Sequence, residues 1–332
     1  MAEVLAAFPA QCREGLELGE GIPLEELAGF TRVVILGMGG SGIAGALLGS
    51  LLPIEVVPVR GYTLPPWVGA ESLAVALSYS GDTEETLAAF EAARQRTKRL
   101  LAVTSGGELG RRSAAAGIPW IKIPQGLQPR AALGYLLFPL LGVLARLGYG
   151  TDLGEALAVL EATADELARG EENKAQALAR RLEGRVAVVY GSGPTAPVAY
   201  RWKTQVNENA KAPAFWGEVP ELCHNEVVGW ELAGRLLPGG TAVFLRTAGD
   251  GPRVGRRIEI LQDVLTKRDL DWVEVSGRGD TLPAQLLSLI YLGDWASYNL
   301  ALLHGVDPTP VAIIAELKAR LADASPPAGR RT

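Results

Sequence analysis

The chain has 332 residues, 48% apolar and 21% charged, enough for about two domains of ~150 residues each and too apolar for global disorder. Its formal net charge is −5, with 25 Arg and 7 Lys scattered along the chain, which argues against a nucleic-acid or anionic-membrane binder. Two cysteines (Cys12, Cys223) and two histidines (His224, His304) exclude a disulfide framework and a cysteine- or histidine-rich metal site.

The N-terminal stretch MAEVLAAFPAQCRE has an acidic residue at position 3 and no basic residue before its apolar run, unlike a signal peptide. The longest apolar run, 131–145, is shorter than the ~20 residues that a bilayer requires. A cytoplasmic protein with no membrane partner is expected. Residues 2–28 carry Leu and Ala at helical spacing. Arg32-Val-Val-Ile-Leu36 is an apolar, β-branched run followed at once by Gly37-Met-Gly-Gly-Ser-Gly42, and 43–52 return to helical spacing. That order of strand, glycine turn and helix opens an α/β unit with a buried parallel strand. Further strands are predicted over 55–59, 73–77, 99–103 and 120–123, with helices over 83–97 and 109–116. Strands and helices in alternation imply a parallel sheet covered on both faces.

Residues 131–147 read as a buried helix, and 153–183 are helical and lead away from the first sheet. The pattern then restarts with Arg185-Val-Ala-Val-Val-Tyr190, the turn Gly191-Ser-Gly-Pro-Thr195 and a helix from Ala196. Strands over 241–246 and 272–275 follow, with helices over 253–268 and 283–303; the last of these carries Asp294 and reads as a core helix. RVVILGMGGSG and RVAVVYGSGPT share one order of elements, so the chain reads as an internal duplication. A helix over 311–322 closes the fold, and 323–332 reads as a flexible tail.

Gly37, Gly39 and Gly42 fit the GxGxxG spacing of dinucleotide binding. The second strand, however, starts with Glu55 and runs out to Arg60, where that fingerprint needs an acidic residue for the ribose. Arg60 keeps an NADP-dependent oxidoreductase as one alternative. A second turn, Leu77-Ser-Tyr-Ser-Gly-Asp-Thr-Glu-Glu-Thr86, sets the hydroxyls of Ser78, Ser80 and Thr83 around Gly81, between a strand and a helix. Hydroxyls beside free N–H groups at a helix N-terminus suit a phosphate monoester. The plainer alternative is a helix cap by Asp82 or Thr83.

The segments GMGGSGIAG, LSYSGDTEET, PRAALGYLLFPLL and NENAKAPAFWGEVPELCHNEVVGWE resemble the bifunctional phosphoglucose/phosphomannose isomerases, which belong to the sugar isomerase (SIS) superfamily. The hydroxyl loop alone marks the superfamily; the PRAALGY and NEN segments are more specific. The resemblance implies an α/β fold of two tandem SIS-type doubly wound domains, each a mainly parallel sheet flanked by helices. The first would span 1–150 and hold the phosphate loop; the second would span 151–322 with the linking and C-terminal helices. The implied activity is aldose–ketose isomerisation of glucose 6-phosphate, and by extension mannose 6-phosphate, with fructose 6-phosphate. It proceeds by ring opening and proton transfer through a cis-enediolate, without metal or organic cofactor.

By the same resemblance, Ser78, Ser80 and Thr83 bind the substrate phosphate, and Gly39, Gly40 and Ser41 lie against the sugar. Arg130 stabilises the enediolate, and Glu208 moves the proton between C1 and C2. His224 opens the ring from the neighbouring subunit, which implies a homodimer. Lys318 lies near the ring oxygen, and Thr309 is the nearest match to a threonine that admits both C2 epimers. Such chemistry needs a phosphate anchor, an acid/base for the ring, one carboxylate base and a cation near O1 and O2. Asn207 and Asn209 are expected to hydrogen-bond Glu208, with Trp202, Phe215 and Trp216 as an apolar wall. The alternative from another class is a non-catalytic, regulatory SIS protein that binds a sugar phosphate and has no need of Glu208.

Overall fold

In the computed structural model, which describes residues 1–169 and 172–323, the apolar runs become parallel strands. Helices α1 (Ala2–Ala6) and α2 (Phe8–Leu18) precede β1 (Arg32–Leu36), α3 (Gly39–Leu51), β2 (Glu55–Val59), β3 (Ser72–Leu77) and α4 (Glu84–Arg94). Then come β4 (Leu100–Thr104), α5 (Gly107–Ala115), β5 (Trp120–Lys122) and α6 (Leu133–Arg146). Helices α7 (Gly154–Arg169) and α8 (Lys174–Leu182) lead to β6 (Val186–Ser192), α9 (Ala196–Asn209), β7 (Ala214–Val219) and α10 (Ala233–Leu236). The chain ends with β8 (Gly240–Arg246), α11 (Pro252–Thr266), β9 (Asp271–Ser276), α12 (Leu282–Leu303) and α13 (Ala312–Asp323). The helix predicted over 2–28 stops at Leu18, because Gly19, Gly21 and Pro23 follow and break it. The tail expected over 323–332 lies outside the described residues, apart from Asp323 at the end of α13.

The first sheet has the order β2-β1-β3-β4-β5 and the second β7-β6-β8-β9, all parallel. The orders coincide when β6 is laid on β1, so the repeated sequence pattern is a repeat of topology. In each sheet the turns after the first and third strands of the repeat diverge at a switch point, where open α/β sheets bind ligands. Pro58 sits in the edge strand β2, where its missing N–H breaks no ladder.

Alternate residues divide the faces of the sheets. Val33, Ile35, Leu73, Val75 and Leu101 of the first sheet share one core with Ala187, Val189, Val243 and Leu245 of the second. Residues of α2, α6, α9 and α12 fill the space between. The outer faces have their own cores, around Phe90 and around Phe244. The shared core fixes one sheet against the other by burying apolar surface from both. Helices α2 and α6 approach through small residues: a Cβ on Gly134 would lie 2.6 Å from that of Gln11. Helix α12 is long and apolar enough to cross a membrane by composition, but 72% of its apolar window is buried in the protein.

Glu155 of α7 ties down the start of α12 by accepting the N–H groups of Asp280 and Thr281 at 2.7 and 2.8 Å. Hydrogen bonding from the Thr281 side chain, and then from these N–H groups, holds the Glu155 carboxyl below the ordinary carboxylate range. A carboxylate depressed in the native state stabilises the fold above its unfolded pKa, and that stability is lost as pH falls through the native pKa. Glu155→Gln is therefore expected to lower Tm at neutral pH, with the gap to wild type narrowing as pH drops below the ordinary value of 4.5. Thermal melts across that range check it; a gap unchanged by pH would assign the loss to packing.

Candidate active site

The turns after β1 and β3 meet at the switch point of the first sheet. Gly39, Gly40 and Ser41 form the first turn of α3, which starts earlier than the spacing predicts, and Met38 caps it with no side-chain bond. Ser41 Oγ accepts from the Tyr79 N–H at 3.3 Å and so joins the two turns. Ser78 Oγ accepts from the Gly81 N–H at 3.1 Å and shares a hydrogen bond of 3.0 Å with Thr83 Oγ1. Ser80 Oγ accepts from the Asp82 N–H at 3.2 Å. Gly81 has φ +81°, and a Cβ there would lie 2.0 Å from the Gly106 carbonyl oxygen, so the turn requires glycine.

Asp82 does not cap α4; its Oδ1 accepts from the Glu108 N–H at 2.8 Å, at the start of α5. Thr83 occupies the N-cap position of α4 without a side-chain capping bond. The first-turn N–H groups of α4 thus remain open to an anion, with the helix dipole favouring one. Tyr79, buried between the two serines, donates its phenol to the Pro124 carbonyl at 3.0 Å and accepts from the Leu127 N–H at 2.8 Å. Those bonds fix the hydroxyl turn to the segment that leads into Arg130.

Pro129–Ala131 is a tight turn packed on α3: a Cβ at Gly40 would lie 3.1 Å from the Pro129 carbonyl oxygen. Within it Arg130 is 3% exposed. Its Nε donates to Asn209 Oδ1 at 2.7 Å, Nη1 to Glu208 Oε2 at 3.4 Å, and Nη2 to the carbonyls of Pro308 and Thr309 at 2.5 and 3.0 Å. Of the guanidinium's five N–H groups, one on Nη1 has no partner among the described residues. Burial pulls the Arg130 pKa down; the charge of Glu208 opposes that fall and the charge of Arg201 adds to it. A guanidinium remains a cation at neutral pH. Glu208, in the last turn of α9, keeps 27% of its side chain exposed. It borders a cavity of about 550 Å³ that Lys211, Pro213 and Ile313 also line. A fixed cation beside an open carboxylate is the pairing that proton transfer next to a carbonyl requires.

The neighbours of Glu208 differ from the expected ones. Asn209 Nδ2 donates to Ser297 Oγ at 2.9 Å, and Asn207 Nδ2 donates to the Ala212 carbonyl at 2.9 Å; neither bonds Glu208. There is no wall of Trp202, Phe215 and Trp216. Trp202 is a core residue whose indole N–H donates to the Leu289 carbonyl at 2.9 Å. Phe215 and Trp216 stand exposed on the edge strand β7. Lys211 is a site residue that the sequence reading missed. It has φ +55° and donates to the carbonyls of Glu208, Pro308 and Pro310. Desolvation first, and then the charge of Arg130, lowers its pKa. Arg130 and Lys211 together strap the segment 308–310 across this end of α9.

Thr309 lies in that strap, with its N–H on Asp307 Oδ1 at 2.8 Å. Lys318 stands exposed on α13, and His224 is exposed at the end of the 3₁₀ turn Glu221–His224. Among the described residues, neither side chain makes a hydrogen bond or ion pair to Arg130, Glu208 or the hydroxyl turn. No group of three His, Cys, Asp or Glu is placed to hold a metal ion among the described residues. At the switch point of the second sheet the chain supplies its own anion. Asp250, in the turn after β8, accepts from Ser192 Oγ at 3.2 Å, Thr247 Oγ1 at 3.3 Å and Arg246 Nε at 2.5 Å. The hydroxyls there are taken, which leaves the crevice of the first sheet for an external anion.

A family model described as the bacterial phospho-glucose isomerase C-terminal SIS domain matches residues 171–321. The chain is 37% identical to the bifunctional phosphoglucose/phosphomannose isomerase of Caldicellulosiruptor bescii, over 97% of this chain and 99% of the relative. It is 38% identical to the bifunctional phosphoglucose/phosphomannose isomerase of Thermoplasma volcanium, over 88% and 92%. Among solved structures, tagatose-6-phosphate ketose/aldose isomerase from Escherichia coli has the same fold, with a TM-score of 0.70 over 93% of this chain and 94% of that one, at 15% identity.

Proposed function

Because the chain belongs to the bifunctional phosphoglucose/phosphomannose isomerase family, we infer that it is an aldose–ketose isomerase, interconverting glucose 6-phosphate and mannose 6-phosphate with fructose 6-phosphate. The observation that carries this to particular atoms is the buried Arg130, with Nη1 3.4 Å from Glu208 Oε2. A regulatory phosphate binder has no use for that pair, and the relatives that span the chain are named as isomerases.

In the proposed reaction the substrate phosphate binds the hydroxyls of Ser78, Ser80 and Thr83 and the open N–H groups of α4, with the sugar against Gly39, Gly40 and Ser41. Once the ring is open, Glu208 removes the proton from C2 of the aldose, forming the cis-enediolate, and returns it to C1. Negative charge that develops on O1 and O2 faces Arg130, which is fixed in advance by its bonds to Asn209, Pro308 and Thr309. Preorganised charge of this kind is the largest single contribution in such reactions. Thr309 would face C2 and Lys318 the ring oxygen. The ring-opening group is His224, supplied by the other subunit of a cytoplasmic homodimer. Two features support a partner copy: among the described residues the exposed His224 side chain makes no hydrogen bond or ion pair, and Phe215, Val228, Leu232 and Leu236 are exposed apolar side chains, as are Ile313, Leu317 and Leu321 on α13. Exposed apolar surface of this extent marks a contact region.

The test is to treat the purified protein with EDTA, supply fructose 6-phosphate, and measure glucose 6-phosphate and mannose 6-phosphate separately. Both products are expected. Glucose 6-phosphate alone would restrict the enzyme to one C2 epimer. Neither product, with fructose 6-phosphate still bound, would return the protein to the regulatory class.

A further inference from the structure

Behind Arg130 lies a buried ion pair that the reaction itself does not use. Arg201 on α9 and Asp294 on α12 are 1% and 2% exposed. Arg201 Nε donates to Asp294 Oδ1 at 3.0 Å and its Nη2 to Oδ2 at 2.6 Å, and Gln205 Nε2 donates to Oδ1 at 2.7 Å. The same Arg201 Nη2 donates to the main-chain carbonyl of Arg130 at 2.9 Å. Stability does not explain such a pair. Removing two charges from water costs about what their attraction returns, and well-packed apolar replacements are often neutral or stabilising.

The geometry supplies another explanation. Arg130 is held at two points by the same two helices. Arg201, braced by Asp294, grips its carbonyl, while Asn209, braced by Ser297 one turn further along α12, grips its Nε. With the main chain and Nε both fixed, the guanidinium has one way to present Nη1 to Glu208. We propose that Arg201 and Asp294 are positioning residues of the isomerase, which set Arg130 against Glu208 through the Arg130 carbonyl. The inference rests on the role of Arg130 proposed above.

The test compares wild type with two variants, reading kcat and KM for fructose 6-phosphate conversion together with thermal unfolding. The triple variant Arg201→Met/Gln205→Leu/Asp294→Met replaces the charged and amide side chains of the network by apolar ones, so that the Arg130 carbonyl is the one group of the network that loses its donor. Arg201→Lys keeps a charge opposite Asp294, but its single ammonium cannot reproduce a planar, bidentate fork that also reaches the carbonyl. The expected result is a cooperative thermal transition for the triple variant, kcat lower by about tenfold or more in both, and KM within about threefold, because no hydrogen bond or ion pair joins the hydroxyl turn to this network. If the triple variant fails to fold, Arg201→Lys decides by the same split. Folded variants with wild-type kcat, or a loss confined to KM, would overturn the proposal. An inactive wild type would instead overturn the isomerase reading, so the two failures are distinct.

Discussion

Glu208→Gln is expected to lower the rate of glucose 6-phosphate formation from fructose 6-phosphate by about 10²- to 10⁴-fold, in line with the loss of a positioned general base. The amide has the shape of the carboxylate and can still accept from Arg130 Nη1, but it cannot take a proton. The fold should not notice the change. The Glu208 side chain is part exposed, and Arg130, its ion-pair partner, keeps its other bonds, to Asn209, Pro308 and Thr309. Lys211 holds the Glu208 carbonyl, not its side chain. KM should move little, because the proposed grip on the phosphate lies in the Ser78–Thr83 turn. Steady-state kinetics with a thermal melt as control check this. Residual activity above about one hundredth of wild type would place the base elsewhere.

What the sequence revealed, and what it concealed, follows from how each feature is encoded. Strands buried on both faces read as continuous apolar runs, so β1 and β2 fall on the predicted residues 32–36 and 55–59. Strand β7 escaped because it lies at a sheet edge. Only Ala214 and Val219 of it are buried, exposed aromatics and Gly217 lie between, and Pro213 and Pro220 flank it. The same tertiary placement undid the expected aromatic wall, since a tryptophan in α9 looks alike from sequence whether it faces a cleft or the core. At the site, the hydroxyl turn, Arg130 and Glu208 stand in compact local motifs. Arg201 and Asp294 do not, because they meet 93 residues apart in the chain. One signal for them was present. Asp294 is the only charged residue in α12, and a lone carboxylate in a buried apolar helix requires a cation or several donors. The left-handed backbone of Lys211 left no such mark.

Mixing two inactive variants should restore activity. Within one chain His224 is exposed and bonds to neither Glu208 nor Arg130, yet the reaction needs an acid/base to open the sugar ring. If the partner subunit's His224 serves each site, then His224→Ala and Glu208→Gln are each inactive for different reasons. Let the two variants exchange subunits at equal concentration. In a mixed dimer, the chain with native Glu208 meets the partner with native His224 and forms one intact site; the other site lacks both groups. About half the dimers would be mixed, each with one intact site of two, giving about a quarter of wild-type activity by the arithmetic of a two-fold assembly. If His224 instead served its own chain, every site in every dimer would lack one group, and the mixture would stay as inactive as its components. A recovered rate therefore places His224 across an interface and establishes the dimer as the catalytic unit. An unrecovered rate, in a mixture shown by mass to have exchanged, would require His224 to reach Glu208 within one chain. The turn Glu221–His224 would then have to move on substrate binding, since it makes no bond to that carboxylate here.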